Sequence, residues 1–190
     1  MRFQRCVVVV YDDSELECCA ETLVIKCDEV TLAAGIEDNF SPTGIEPNNT
    51  PPEWYTPGQT MPFVGFDFQG GNRWFGHRFI LPQSCQIAGA ILIIRVKPLW
   101  GDATNDGVIL RIGADKWMAQ FGPPAGVYLQ SSSWTPANFP DGHTFTLDLA
   151  NLPGGGNLLA PLNAQRLLDV IVQDDTSVDF VKLIVKLCCP

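Results

Sequence analysis

The sequence predicts an all-β protein, an antiparallel β-sandwich of jelly-roll type with an N-terminal strand arm. Three observations carry that expectation. Short apolar runs, roughly eight to ten of them, recur at close spacing with turn residues between them and no strand–helix alternation, as antiparallel sheets require. Glycine (17) and proline (15) are plentiful while charged residues make up only 17% of the chain, a composition that favours tight turns over long helices. A chain of 190 residues that is 46% apolar can close one full hydrophobic core and falls in the size range of one domain.

Residues 1–34 hold two candidate strands, 6–11 and 22–27, around the acidic turn Asp12-Asp13-Ser14-Glu15, and together these read as a hairpin. Val7-Val8-Val9-Val10 follows two arginines but is too short for a signal-peptide core and precedes no small-residue cleavage site, so it reads as strand. Residues 35–62 change character. Prolines at 42, 47, 51, 52 and 57 leave few backbone donors and no regular period, as in a linker or extended loop. The chain thus divides into an arm (1–34), a Pro-rich linker (35–62) and a sandwich body (63–190).

In the body, residues 73–81 form a strand closed by Pro82-Gln83-Ser84. Ile91-Leu92-Ile93-Ile94 is apolar on both faces and belongs at a sheet centre, before Arg95-Val96-Lys97 resumes alternation and Pro98 ends the strand. Val108, Leu110 and Ile112 share one face, with Arg111 on the other, and 116–121 is a further strand closed by Gly122-Pro123-Pro124. Phe145, Leu147 and Leu149 point inward from 144–149, and 158–166 is the one segment expected to be helical. Leu168, Val170 and Val172 share a face, as do Val181, Leu183, Val185 and Leu187. Between these last two runs lies the turn Asp174-Asp175-Thr176.

Twelve basic against twenty-one acidic residues give a net charge of -9, which repels phosphate backbones and anionic surfaces, so no nucleic-acid partner is expected. No window reaches the roughly 18 apolar residues of a membrane span. Seven cysteines are many for a reducing compartment. Cys6, Cys18, Cys19, Cys27, Cys188 and Cys189 lie near the two ends, a pattern of tying termini together, while Cys85 stands alone. The doublets lack the two-residue gap of zinc knuckles, so disulfides within or between chains fit better than metal. If the first and last strands are neighbours, the Cys6/Cys27 region lies near Cys188-Cys189, and a disulfide there fastens the arm to the body. An extracellular or virion-surface location follows, with no cleavable signal peptide visible.

Candidate chemistry is sparse. His77 and His143 are the only histidines; neither stands in a zinc-protease pattern, and no serine occupies a nucleophile elbow. The first reads as a strand residue bonding a loop, the second as a turn residue. Asp174, Asp175 and Asp179 bring three carboxylates close together, which suits Ca²⁺ or a turn capped by side-chain bonds. Asn105-Asp106-Gly107 reads as a plain turn. Trp74 and Trp117 fall in strands and read as buried, whereas Trp100 and Trp134 fall in loops, where exposed indoles could hold a sugar ring or a protein partner.

Asn72, His77, Phe79, Arg95, Lys97-Pro98, Asn105-Asp106, Phe145-Thr146-Leu147-Asp148-Leu149, Leu162-Asn163-Ala164 and the closing Val172-Gln173-Asp174-Asp175-Thr176 with Val178-Asp179 carry a resemblance. From residue 38 to 183 the chain resembles a functionally uncharacterised class of bacterial β-sandwich domains. The resemblance implies a common domain and brings no activity with it.

The expected function is therefore non-enzymatic: a structural or assembly protein, homo-oligomeric through its arm and terminal cysteines, in a filament, sheath or virion surface. A carbohydrate-binding module, Ca²⁺-dependent and using Trp100, Trp134 and the acidic turns, is the alternative. A hydrolase stands third, since paired carboxylates facing one another across a groove leave no mark in sequence.

Overall fold

Alternating apolar positions can be buried only if the strands stack into two sheets with their inner faces together. The computed structural model describes residues 3–7, 19–23, 26–42, 46–52, 63–101, 105–124 and 126–189, the first two segments as backbone only. Its strands are β1 (Phe3–Val7), β2 (Cys19–Leu23), β3 (Lys26–Gly35), β4 (Phe63–Val64), β5 (Trp74–Ile80), β6 (Gln86–Pro98), β7 (Gly107–Ile112), β8 (Asp115–Gln120), β9 (His143–Asp148), β10 (Leu167–Gln173) and β11 (Thr176–Cys189). A short helix, α1 (Leu159–Gln165), precedes β10. Among the described residues no helix is long and apolar enough to cross a membrane.

One sheet runs β3-β11-β6-β9 and the other β4-β5-β10-β7-β8. All pairings in them are antiparallel except the two-residue β4, which runs parallel to β5. Between β5 and β11 only β7 and β8 are joined within one sheet; every other step there crosses between sheets, and so does the path from β3 to β5. Eight strands connected in this way form a jelly roll. The sandwich predicted from strand spacing is the fold observed.

The core lies between the sheets. In β6, Leu92, Ile94 and Val96 are fully buried while Ile91, Ile93 and Arg95 are half-buried on the outer face. Apolar residues on both faces suit its place between β11 and β9. From the second sheet Leu110, Ile112, Leu168, Val170 and Val172 fill the same core. Asn163 of α1 pins the start of β6, accepting from Ile87 N–H and donating to Ile87 C=O.

Residues 26–34, grouped with the arm on sequence grounds, form most of β3, an edge strand of the four-stranded sheet. Phe40 and Pro52, in the proline-rich segment, are buried. Outside the sandwich, β1 pairs only with β2, from Phe3↔Leu23 to Val7↔Cys19. These strands lie a few residues earlier than the predicted 6–11 and 22–27, and residues 8–18, including Cys18, fall outside the described residues.

Candidate functional site

The distinctive turn between β10 and β11 carries the chain from one sheet to the other. Its backbone polar groups need partners, and its N–H groups find theirs in Asp106, which is 1% exposed. The Asp106 carboxylate accepts the N–H groups of Asp174 (3.3 Å) and Asp175 (3.1 Å) and the hydroxyl of Thr176 (2.5 Å). Burial pushes this carboxyl up to about 6, although the bonds from Thr176 and the turn N–H groups oppose the shift. Leu99 N–H donates to Asp175 C=O and Arg73 N–H to Asp174 C=O. Asn72 N–H reaches Asp175 Oδ1 at 2.6 Å, and the Asn105 side-chain amide reaches Asp174 Oδ2 at 3.0 Å. Asn105-Asp106, read from sequence as a plain turn, thus anchors a neighbouring one.

Trp134 completes this network. Expected to be an exposed loop residue, it is 2% exposed and its indole N–H donates to Thr176 Oγ1 at 2.9 Å. Phe121, Phe139 and Phe145 pack around the ring at centroid distances of 4.8, 4.8 and 5.7 Å. A loop tryptophan can be buried when its one donor finds an acceptor inside, and Thr176 is that acceptor. Trp134 is therefore not a ligand platform. Trp100 remains exposed at 60%, Trp117 is buried as expected, and Trp74 is partly buried.

The expected trio Asp174, Asp175 and Asp179 does not come together. The first two belong to the crossover turn, while Asp179 sits in a β-bulge of β11, where the pairing with β6 slips between Val178 and Phe180. A bulge re-aims a side chain, and this one turns Asp179 toward Asp38, in the loop after β3, and Asp67, in the turn after β4. Ligand oxygens of Asp38, Asp67 and Asp179 all lie within 4.8 Å of one another. Asp179 is fully buried and Asp67 is 1% exposed. Asp179 Oδ1 accepts Phe40 N–H at 2.8 Å, and Arg95 Nε stands 3.3 Å from Asp179 Oδ2. Asp38 Oδ1 accepts Ser41 N–H at 3.0 Å. Among the described residues no N–H donates to either oxygen of Asp67 or of the neighbouring Glu46, and the two carboxyls stand within hydrogen-bonding reach of each other. Burial, reinforced by the charges of Asp38, Glu46 and Asp179 and by a side-chain hydrogen bond with Glu46, pushes the Asp67 carboxyl up to about 7. Burial also raises Asp179, against the N–H bonds of Phe40 and Asp38 and the charge of Arg95. One signal in the sequence marks this site. The inward positions of β11 change phase at Asp179, from Val178 to Val181, Leu183 and Val185.

The cysteines form a clamp at the opposite end of β11. Cys188 lies directly across from Cys27 on β3 and is disulfide-bonded to it, with Cα atoms 4.0 Å apart. Cys189 bonds Cys85, just before β6, with Cα atoms 4.8 Å apart. The doublet thus ties β11 to β3 on one side and to the segment leading into β6 on the other. Cys85 was the cysteine that spacing left without a role. Of Cys6 and Cys19 only the backbone is described. Two intramolecular disulfides are compatible with an oxidising, extracellular location.

His77, on β5, is 3% exposed and accepts Thr50 N–H at Nδ1 (3.2 Å). Burial pushes its imidazole down to about 4, against the charge of Asp169. It borders an open groove of about 410 Å³ between β3 and β5, lined also by Thr31, Leu32, Thr50, Phe79 and Ile80. No protein-family model, curated protein or solved structure matches this chain.

Proposed function

We propose that the chain is a non-enzymatic structural module that self-associates through its N-terminal strands, outside the reducing cytosol, in a filament, sheath or virion surface. The observation that carries this reading is the β1–β2 pair, which among the described residues is hydrogen-bonded to neither sheet of the sandwich. A two-stranded pair is marginal in water by itself and gains stability by packing or by adding to a sheet edge. The receiving surface we assign, on a second copy, is the groove beside the β3 edge, where Ile80 is 68% exposed. The disulfide to Cys188 supports this reading by holding that edge in place under load.

Size-exclusion chromatography with light scattering tests it on the full chain, with and without reductant. Deletion of residues 1–25 and the surface change Ile80→Glu should each give a monomer with unchanged circular dichroism. The deletion stops before β3, because losing residues 26–34 as well would strip an edge strand and Cys27. A monomeric wild-type chain, or a deletion variant that assembles normally, refutes the proposal.

Glycan binding is a second reading, favoured by the exposed Trp100. Gly71, with no side chain, lets the Trp100 indole and the Asp175 carboxylate close onto its backbone. Saturable glycan binding lost in Trp100→Ala would support it; a flat glycan titration removes it.

A further inference from the structure

We propose that Asp38, Asp67 and Asp179, with Glu46 beside them, form a binding site for one calcium ion that locks the loop after β3 onto the bulge of β11. The site is distinct from the crossover turn, where Asn105 and Asn72 each bond one oxygen of Asp174 and Asp175, and it is independent of self-association.

The argument begins with Asp67. Its carboxyl group is 1% exposed, faces two other carboxylates and receives no N–H from the described residues; the group within hydrogen-bonding reach of it is a further carboxyl, that of Glu46. Buried ionisable groups are ordinarily paired, and others in this chain are: Asp169 holds Arg78 through two bonds and Asp106 holds the crossover turn. Both Glu46 oxygens likewise receive no N–H from the described residues. Four carboxylates meet one nearby guanidinium, Arg95, which is itself held by Asn39 Oδ1 and the Asp141 carbonyl. A net negative charge is left for a divalent cation to offset.

The donor chemistry selects the ion. All the available ligands are hard carboxylate oxygens, with no imidazole or thiolate among them, which suits Ca²⁺ and disfavours zinc. Oxygens arranged about 2.4 Å from a shared calcium lie no more than roughly 4.8 Å apart, and the ligand atoms here lie within 4.8 Å of one another. Magnesium demands near-ideal octahedral geometry and dehydrates reluctantly, so a dedicated cage of protein carboxylates suits it less well.

The test uses the full chain, treated with chelator, dialysed against CaCl₂ and analysed for bound metal and thermal unfolding. One calcium per chain is expected. The melting temperature should rise by roughly 5–10 °C when free calcium is about a hundredfold above Kd, and MgCl₂ should raise it less. Asp67→Asn preserves shape and relieves repulsion, so in chelator it should melt no lower than wild type, yet show no calcium response. Asp174→Asn should respond as wild type does. A wild-type chain without bound calcium or thermal shift overturns the assignment. So does a calcium response that survives in Asp67→Asn or is lost in Asp174→Asn.

Discussion

Replacing Asp106 by alanine tests whether the crossover turn is held from within. The substitution leaves the N–H groups of Asp174 and Asp175 and the hydroxyl of Thr176 without their acceptor, at about 1–3 kcal/mol for each buried group. An opposing effect must be set against this. A carboxyl raised from 3.8 to about 6 carries an ionisation cost of roughly 3 kcal/mol at pH 7, and alanine removes it. The net loss at pH 7 is then about 0–6 kcal/mol, each kcal/mol being worth roughly 2–4 °C in melting temperature for a chain of this size. The pH dependence separates the two effects. Since the folded value lies above the unfolded one, Asp106 contributes stability that is complete below pH 3.8 and is lost as pH rises through 6. The gap between wild type and Asp106→Ala should therefore widen by up to roughly 3 kcal/mol from pH 7 to pH 4. Urea unfolding at both pH values measures it, with tryptophan fluorescence as the probe because Trp134 bonds to Thr176. A gap that does not change with pH, or a variant within about 0.5 kcal/mol of wild type throughout, would show that Asp106 does not hold the turn.

His77 should produce the opposite slope. Its imidazole is pushed down to about 4 from 6.5, so its contribution is complete above pH 6.5 and falls away toward pH 4, by up to roughly 3 kcal/mol. His77→Gln, which keeps an acceptor for Thr50 N–H, should flatten that part of the profile; protonation near 6.5 in an NMR titration would contradict the burial. Cutting the Cys27–Cys188 bond by paired serine substitutions opens a link between residues 161 apart, for which chain entropy gives roughly 5 kcal/mol as an upper figure and 2–4 kcal/mol as a typical one. Amide exchange should accelerate first in β3, and unchanged exchange there would mean that hydrogen bonds to β11 suffice to hold the edge.

Much of the architecture was legible because alternation is a local property. The inward sets Val108, Leu110, Ile112 and Phe145, Leu147, Leu149 could be read from neighbouring residues, and each proves buried. Residues 26–34 were harder to place. Lys26 to Glu29 are exposed on an edge strand, so nothing in their polarity separates β3 from a free arm; its place depends on pairing with β11, some 150 residues away. The candidate sites failed for a related reason. Trp134 resembled an exposed loop residue because its partner, Thr176, is remote in sequence, and Asp179 was grouped with Asp174 and Asp175 because chain proximity was the only proximity visible.

The sequence by itself determined that this chain is an antiparallel sandwich of short strands with a strongly acidic balance and a disulfide habit, because period, turn chemistry and composition act over a few residues. The tertiary structure alone decided which cysteines meet, which tryptophan is hidden and which carboxylates converge. Those outcomes depend on the order of strands in each sheet and on one added residue in β11. A bulge at Asp179 redirects a side chain by half a strand period, and that small shift carries its carboxylate away from the turn beside it in sequence to Asp38 and Asp67, which only the fold brings near.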